Sequence, residues 1–200
     1  LVRVLLSIVV LYDLLMVWYH GLPMFLWAPK ELGGVHDVML RAPAKIPWVF
    51  HLFGPTEAAV WGLYFTVVVS LFCFGVGLFT RFSGLVFLLS YAQMAIINDQ
   101  ADRGIDRMIR IVVLLLICSQ SGKALSLYTK WKTGRWMGDG SLIPAWPRYI
   151  IVFQIIVMYW CAGVEKFAVT WYPWGGYSAL YIILQDPIFG IVDFAFLRSP

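Results

Sequence analysis

Gln154-Ile-Ile-Val-Met-Tyr-Trp-Cys-Ala-Gly-Val-Glu-Lys-Phe-Ala-Val-Thr-Trp171 is the stretch on which the reading of this chain turns. It begins as an apolar helix long enough to sit in lipid, yet it carries Glu165 and Lys166 towards its end. A charged side chain at membrane depth costs about 3 kcal/mol or more, so such residues are rare and face a protein interior or a wet cavity. On a helix, Tyr159, Ala162, Gly163 and Lys166 fall at i, i+3, i+4 and i+7 and share one face. Small residues beside the lysine let another helix or a flat ligand approach closely. Glu165 lies about 100° round the helix and need not share the lysine's surroundings. A plainer reading stands beside this one: a lysine near the end of a span snorkels to the interface or joins a structural ion pair. The residues alone leave both open.

The rest of the chain has the same character. It is 61% hydrophobic and 13% charged, with 10 tryptophans, which describes a membrane protein rich in interfacial aromatics rather than a soluble domain. A mean hydropathy of +0.79 agrees. Cys73, Cys118 and Cys161 each lie alone in apolar segments, which argues against a disulfide framework or a zinc site. The net charge of +4 is too diffuse to argue for nucleic acid. No His/Asp pattern has metal-ligand spacing, and no Gly-rich nucleotide loop is present. The opening apolar segment lacks a small-residue cleavage site and reads as a span, not a signal peptide. The chain opens on Leu1 and stops at Pro200 after an apolar stretch, so a fragment of a longer membrane domain is expected.

Taken in order, span one covers about Leu1 to Tyr19 and holds Asp13 deep in an apolar run; Asp13 and His20 share a face with Met16 and Val17. Gly21 and Pro23 end that helix. Residues 20–55 form a long Pro- and Trp-rich connection carrying His36, Asp37 and His51, expected to pack as interfacial or re-entrant pieces. Span two runs roughly Glu57 to Phe79 and turns at Arg81 into span three, which ends near Ile97. A polar knot follows, from Asn98 to Arg110, and span four starts inside it and continues through Ile111 to Cys118. Residues 119–148 form a basic loop, span five covers about Tyr149 to Val169, and a last apolar stretch runs from Tyr177 to Phe196. The expected fold is an all-α, polytopic integral membrane helical bundle with at least five transmembrane helices.

Alternation of spans puts Lys166, the 98–110 knot and His20 on one face of the membrane. The basic 119–148 loop is the expected cytoplasmic one, which makes that face the outer, active side. Asp13, His20, Asp99, Asp102, Asp106 and Lys166 then come from four helices or their ends to line a polar cavity, with Tyr159 on the lysine's face. Three chemistries compete there. Desolvation favours a neutral amine, which can act as a base. Asp102 and Asp106, near one helical turn apart, could bind a metal or relay protons. Or the charges simply pair, Asp99 with Arg103 and Asp106 with Arg110, at i,i+4 spacing. Arg103, Arg107 and Arg110 also make a stripe suited to a lipid headgroup.

These residues resemble the horizontally transferred transmembrane domain (HTTM) family, whose best-known member is the vitamin K-dependent gamma-carboxylase. The resemblance rests on Leu11-Tyr12-Asp13 in the first span, Gly75-Val-Gly-Leu-Phe-Thr-Arg81 at the close of the second, and Asp106-Arg-Met-Ile-Arg110 entering the fourth. Its most specific part is Gln154…Tyr159…Ala162-Gly163-Val-Glu-Lys166…Trp171…Gly175/Gly176-Tyr-Ser. It implies a single HTTM-like transmembrane domain over residues 1–200, cut on its C-terminal side. It also implies that Lys166 is the base that deprotonates a reduced quinone of the vitamin K kind, and that Asp106 stands where the carboxylase has a histidine that assists. That exchange, and the lack of the carboxylase's large extramembrane region, point away from glutamate carboxylation and towards a different lipid-soluble cofactor or small substrate.

Two functions are therefore carried forward. One is a carboxylase-like membrane enzyme, a lyase or oxidoreductase, with Lys166 and Asp106 as catalytic residues and Asp13, His20, Asp99 and Tyr159 lining the cavity. It would use a reduced quinone, hold no metal, and sit multi-pass in a bilayer (the inner or plasma membrane of a bacterium). The other is a non-catalytic lipid-binding or transport module in which Asp13, Asp106 and Lys166 form a structural ion network. In both, the partners are the bilayer and a lipid-soluble small molecule.

Overall fold

A bilayer core offers no partner for an open backbone, so the apolar runs of this chain fold as helices. The computed structural model describes residues 1–35, 46–136 and 144–179. Eight α-helices lie among these residues: α1 (Val2–Tyr19), α2 (Pro23–Trp27), α3 (Trp48–Phe53), α4 (Glu57–Val76), α5 (Thr80–Ile97), α6 (Gly104–Cys118), α7 (Leu127–Thr133) and α8 (Trp146–Glu165). Of the described helices, α1, α4, α5 and α8 are long and apolar enough to cross a membrane. The fold is an all-helical membrane bundle, and four of the at least five expected spans correspond to such helices among the described residues. The expected fourth span is α6, whose 15 residues rise about 22 Å against a hydrocarbon core of about 30 Å. Asp106, Arg107 and Arg110 occupy its first two turns and shorten its apolar part. The last expected stretch, Tyr177 to Phe196, lies outside the described residues from position 180 on, as do His36, Asp37 and Asp139.

The chain divides into two compact units, Leu1–Pro147 and Arg148–Pro200. In the first, α4 is central and packs against α1, α2, α3 and α5, while α6 packs against α5. Apolar burial gains little in lipid, whose tails are as apolar as leucine, so close backbone approach and polar ties hold such helices together. Gly75 supplies one approach: a Cβ there would sit 2.7 Å from the Cβ of Ser7 on α1. Gly84 on α5 supplies another, with Phe74 and Ile117 against it. The polar ties are specific. The Tyr64 hydroxyl donates to the Leu14 carbonyl at 2.6 Å, and the Trp48 amide donates to Gln93 Oε1 at 3.0 Å.

Local signals set the ends of α4. Thr56 Oγ1 caps its start by accepting the Ala59 amide at 3.2 Å. Gly77, with φ +83°, closes it. Its amide bonds the Phe74 carbonyl at 3.1 Å and the Leu78 amide bonds that of Cys73 at 2.8 Å, the paired bonds of a Schellman turn. The chain then reverses into α5, and α6 returns antiparallel: Tyr91 meets Asp106 at one end of the pair, and Gly122 lies against Thr80 at the other. Arg3, buried near the start of α1, ties that second end together by donating to the carbonyls of Ser121 and Leu125 and to Thr80 Oγ1.

Candidate functional site

The residues of interest fall in both units. In the first, the chain leaves α5 at Ile97 and runs without helical structure through residues 98–103 before α6 begins. Asn98 fixes the departure: its Nδ2 donates to the Leu26 carbonyl and its Oδ1 accepts the Ala101 amide, both at 3.0 Å. Asp106, third residue of α6, reaches back to accept the Arg103 amide at 3.0 Å, the acidic half of a capping box at the positive end of the helix.

Asp106 is buried and its acceptors are fully used. Oδ1 takes the Tyr91 hydroxyl at 2.7 Å, and Oδ2 takes the Arg103 Nε at 3.0 Å beside the amide. Arg103 then reaches on to Asp13 of α1 at 2.7 Å, so its guanidinium joins α1 to α6 while Asp106 joins both to α5 through Tyr91. The outer half of this bridge is the weaker one. The Arg103 and Asp13 side chains remain 57% and 46% exposed, and a pair so open to solvent contributes about 0–1 kcal/mol. A second cluster lies alongside. Asp102 accepts a fork from Arg110, at 2.6 and 2.8 Å, and the Arg107 Nε at 3.2 Å. Arg110 in turn lies over the Tyr91 ring, 6.0 Å from its centre.

Electrostatics follow the geometry. The hydrogen bonds from Arg110, and then Arg107, hold the Asp102 carboxyl below the usual carboxylate range despite the opposing pull of burial. The bond to Asp106 raises Arg103 above the ordinary guanidinium value. Arg103 is thus shared by Asp13 and Asp106, and Asp102 by Arg107 and Arg110, so each arginine of the stripe is engaged by a carboxylate. The pairs expected from sequence, Asp99 with Arg103 and Asp106 with Arg110, are replaced by these. Asp99 and Arg103 lie in residues 98–103, which are not helical, so i,i+4 spacing does not apply to them. Asp106 and Arg110 do share α6, but Tyr91 and Arg103 engage Asp106 while Arg110 forks onto Asp102. Between the two clusters a cavity of about 30 Å³ opens against Trp27, Tyr91, Asp102 and Asp106, room for one water.

The expected residues thus separate. Asp13 and Asp106 are brought together through Arg103. His20 caps the end of α1, exposed, with its ring edge-on to Tyr19 at 5.3 Å. Asp99 is exposed, and its carbonyl accepts the Asp102 amide at 3.3 Å. Tyr91 was not singled out from the sequence, although a lone tyrosine in an apolar span needs a partner for its hydroxyl.

Tyr159 and Lys166 belong to the second unit. There α8 ends at Glu165, and Lys166 is the first residue beyond it, where the positive charge favours the helix C-terminus. The turn tightens as it ends: the amides of Lys166, Phe167 and Ala168 bond the carbonyls of Gly163, Val164 and Glu165 at 3.1, 3.0 and 3.2 Å. Two 3₁₀ turns follow, Val169–Trp171 and Pro173–Gly175. The two glycines of the motif have separate reasons. A Cβ on Gly175 would collide with the Val169 carbonyl, and Gly176 takes φ +67°. Tyr172 and Trp174 stack at 4.7 Å across this turn. Among the described residues of this unit Glu165 is the only carboxylate, and it makes no ion pair with Lys166.

No curated protein and no solved structure matches the chain. A family model does: that of the HTTM domain matches residues 15–198, which takes in Tyr91, Arg103, Asp106 and the Lys166 turn but not Asp13. The chain belongs to the HTTM domain family.

Proposed function

We propose that this membrane domain binds a lipid-soluble molecule and that Lys166 acts on it as a base, as the resemblance to the gamma-carboxylase implies. The observation that carries this is how the cations are used. Arg103, Arg107 and Arg110 are each committed to a carboxylate. Lys166, among the described residues of its own unit, is not, even with Glu165 beside it in the chain. An uncommitted amine held on a fixed turn at the end of an apolar span is the kind of group that a bound lipid-soluble acid could meet as a base. The side of the membrane assigned to it is the outer one.

A reduced quinone, when bound, would supply an acidic hydroxyl and reducing equivalents. The cavity beside Asp106 does not fit its ring: about 30 Å³ is far below the 300 Å³ or more of small-molecule sites. Both Asp106 oxygens are also engaged. Asp106 is accordingly assigned to the frame that joins α1, α5 and α6, with Asp13 and Tyr91, and no proton is routed through it. Glutamate carboxylation is not part of the proposal.

The same satisfied network favours a second reading, a lipid-binding or transport module without chemistry. Quinol turnover separates the two. Full-length protein in nanodiscs is given reduced vitamin K or other quinols under oxygen, and product formation is compared in wild type and Lys166→Ala. Turnover by wild type alone supports the enzyme. No turnover of any quinol, with the variant equally well folded, leaves the binding module.

A further inference from the structure

At the opposite end of α5 from Asp106 lies a cleft of about 520 Å³, formed where α4 turns into α5 and α6 runs into α7. That volume falls within the usual range of small-molecule sites, about 300–1,000 Å³. Its walls carry Arg81 and Lys123, the hydroxyl of Thr129, and the rings of Phe79, Phe82 and Tyr128. No carboxylate is among the described residues that line it. We propose that this cleft binds the phosphate headgroup of an anionic phospholipid, with Arg81 as the principal contact.

Four features of the first unit support this. Arg81 differs from the arginines of the Asp106 end: no described residue pairs with it. Its depth suits a headgroup, because one apolar helix ends and the next begins there, and α5 with 18 residues rises about 27 Å, close to the hydrocarbon thickness of about 30 Å. The rings beside it can lie against the upper acyl chains while the guanidinium forks onto phosphate oxygens. Phe79 takes φ +45°, a conformation that bulky residues avoid, and its ring stands 6.3 Å from that of Tyr128. The wall of the cleft is thus held in a strained backbone. Finally, the neighbouring α7 carries Lys130 and Lys132, with Lys130 4.2 Å over the Trp136 ring, the basic, aromatic character that draws an anionic leaflet. Arg81, with no acid paired to it among the described residues, would repel the ammonium of a zwitterionic headgroup, so the occupant is anionic. This inference does not rest on the role of Lys166.

Native mass spectrometry of the full chain in detergent tests it, with phosphatidylglycerol, phosphatidylcholine or inorganic phosphate added. Wild type should retain phosphatidylglycerol at about tenfold lower concentration than phosphatidylcholine, the worth of one good charge-assisted contact. Arg81→Gln should lose that preference, Arg81→Lys should keep part of it, and Lys30→Gln, away from the cleft, should leave it unchanged. The partial retention in Arg81→Lys separates a lost site from a lost fold. Equal retention of both lipids by wild type, or an undiminished preference in Arg81→Gln, would overturn the proposal. So would displacement of the lipid by millimolar phosphate, which would mark a site for soluble anions instead.

Discussion

Replacing Tyr91 by phenylalanine removes one oxygen and tests whether the Asp106 cluster holds the first unit together. The hydroxyl donates to a buried carboxylate at 2.7 Å, while the ring stacks on Phe87 with centres 5.1 Å apart and would stay in place. A hydrogen bond to a charged group contributes about 1.5–3 kcal/mol net. Two considerations draw the expectation to the low end of that range. Asp106 keeps the Arg103 amide and Nε as donors, so it is not orphaned. Polar contacts between membrane helices also average only about 0.6 kcal/mol, because the unfolded chain in the membrane finds partners of its own. The acceptor here is ionic and buried, which outweighs that second point, and a loss of about 1.5 kcal/mol is expected. Reversible unfolding in mixed micelles, followed by tryptophan fluorescence, measures it as a tenfold change in the unfolding constant. A double-mutant cycle with Asp106→Asn isolates the pair. A loss below about 0.3 kcal/mol, or no coupling in the cycle, would refute the idea that this bond secures α5 to α6.

Two further expectations concern the same unit. Asp102 has a folded value below its unfolded one of about 3.9, so the stability it contributes is fully present above that pH and is lost as pH falls through the lower folded value. Asp102→Asn should therefore be destabilised by about 1.5 kcal/mol at pH 7, and its melting curve should converge on that of wild type as the pH is taken below about 3.9. Gly77→Ala forces a side chain into φ +83° and sets its Cβ 2.7 Å from the Ser126 Cα. A loss of at least 1–2 kcal/mol (roughly the cost of the left-handed backbone) is expected in the same unfolding assay, whereas an unchanged midpoint would show that the turn can shift.

Hydropathy carries most of the fold because the bilayer leaves a long apolar run few alternatives. The expected spans two and three begin at Glu57 and end at Ile97 as α4 and α5 do. What it misses are the ends that depend on backbone conformation. The run from Glu57 stays apolar to Phe79, yet the Schellman turn at Gly77 stops the helix at Val76. The span expected over Tyr149 to Val169 ends earlier, with α8 stopping at Glu165 as its last turn tightens. The polar residues were visible as a group, but not their partners. Asp102 and Arg103 lie in a non-helical segment, where spacing along the sequence gives no guide to direction, and each finds its partners elsewhere: Arg107 and Arg110 for the one, Asp13 and Asp106 for the other. Arg3 was hidden for a related reason: its acceptors are carbonyls at Ser121 and Leu125, more than a hundred residues away.

The role of Lys166 as a base is the central claim, and chemical rescue tests it most directly. Lys166→Ala in nanodiscs is assayed for quinol turnover with and without small primary amines, beside a Lys166→Arg variant that keeps the charge but cannot give up its proton. The account predicts that the alanine variant is inactive and regains turnover in proportion to the free amine, while the arginine variant stays inactive. Wild-type turnover by the alanine variant without added amine would contradict it.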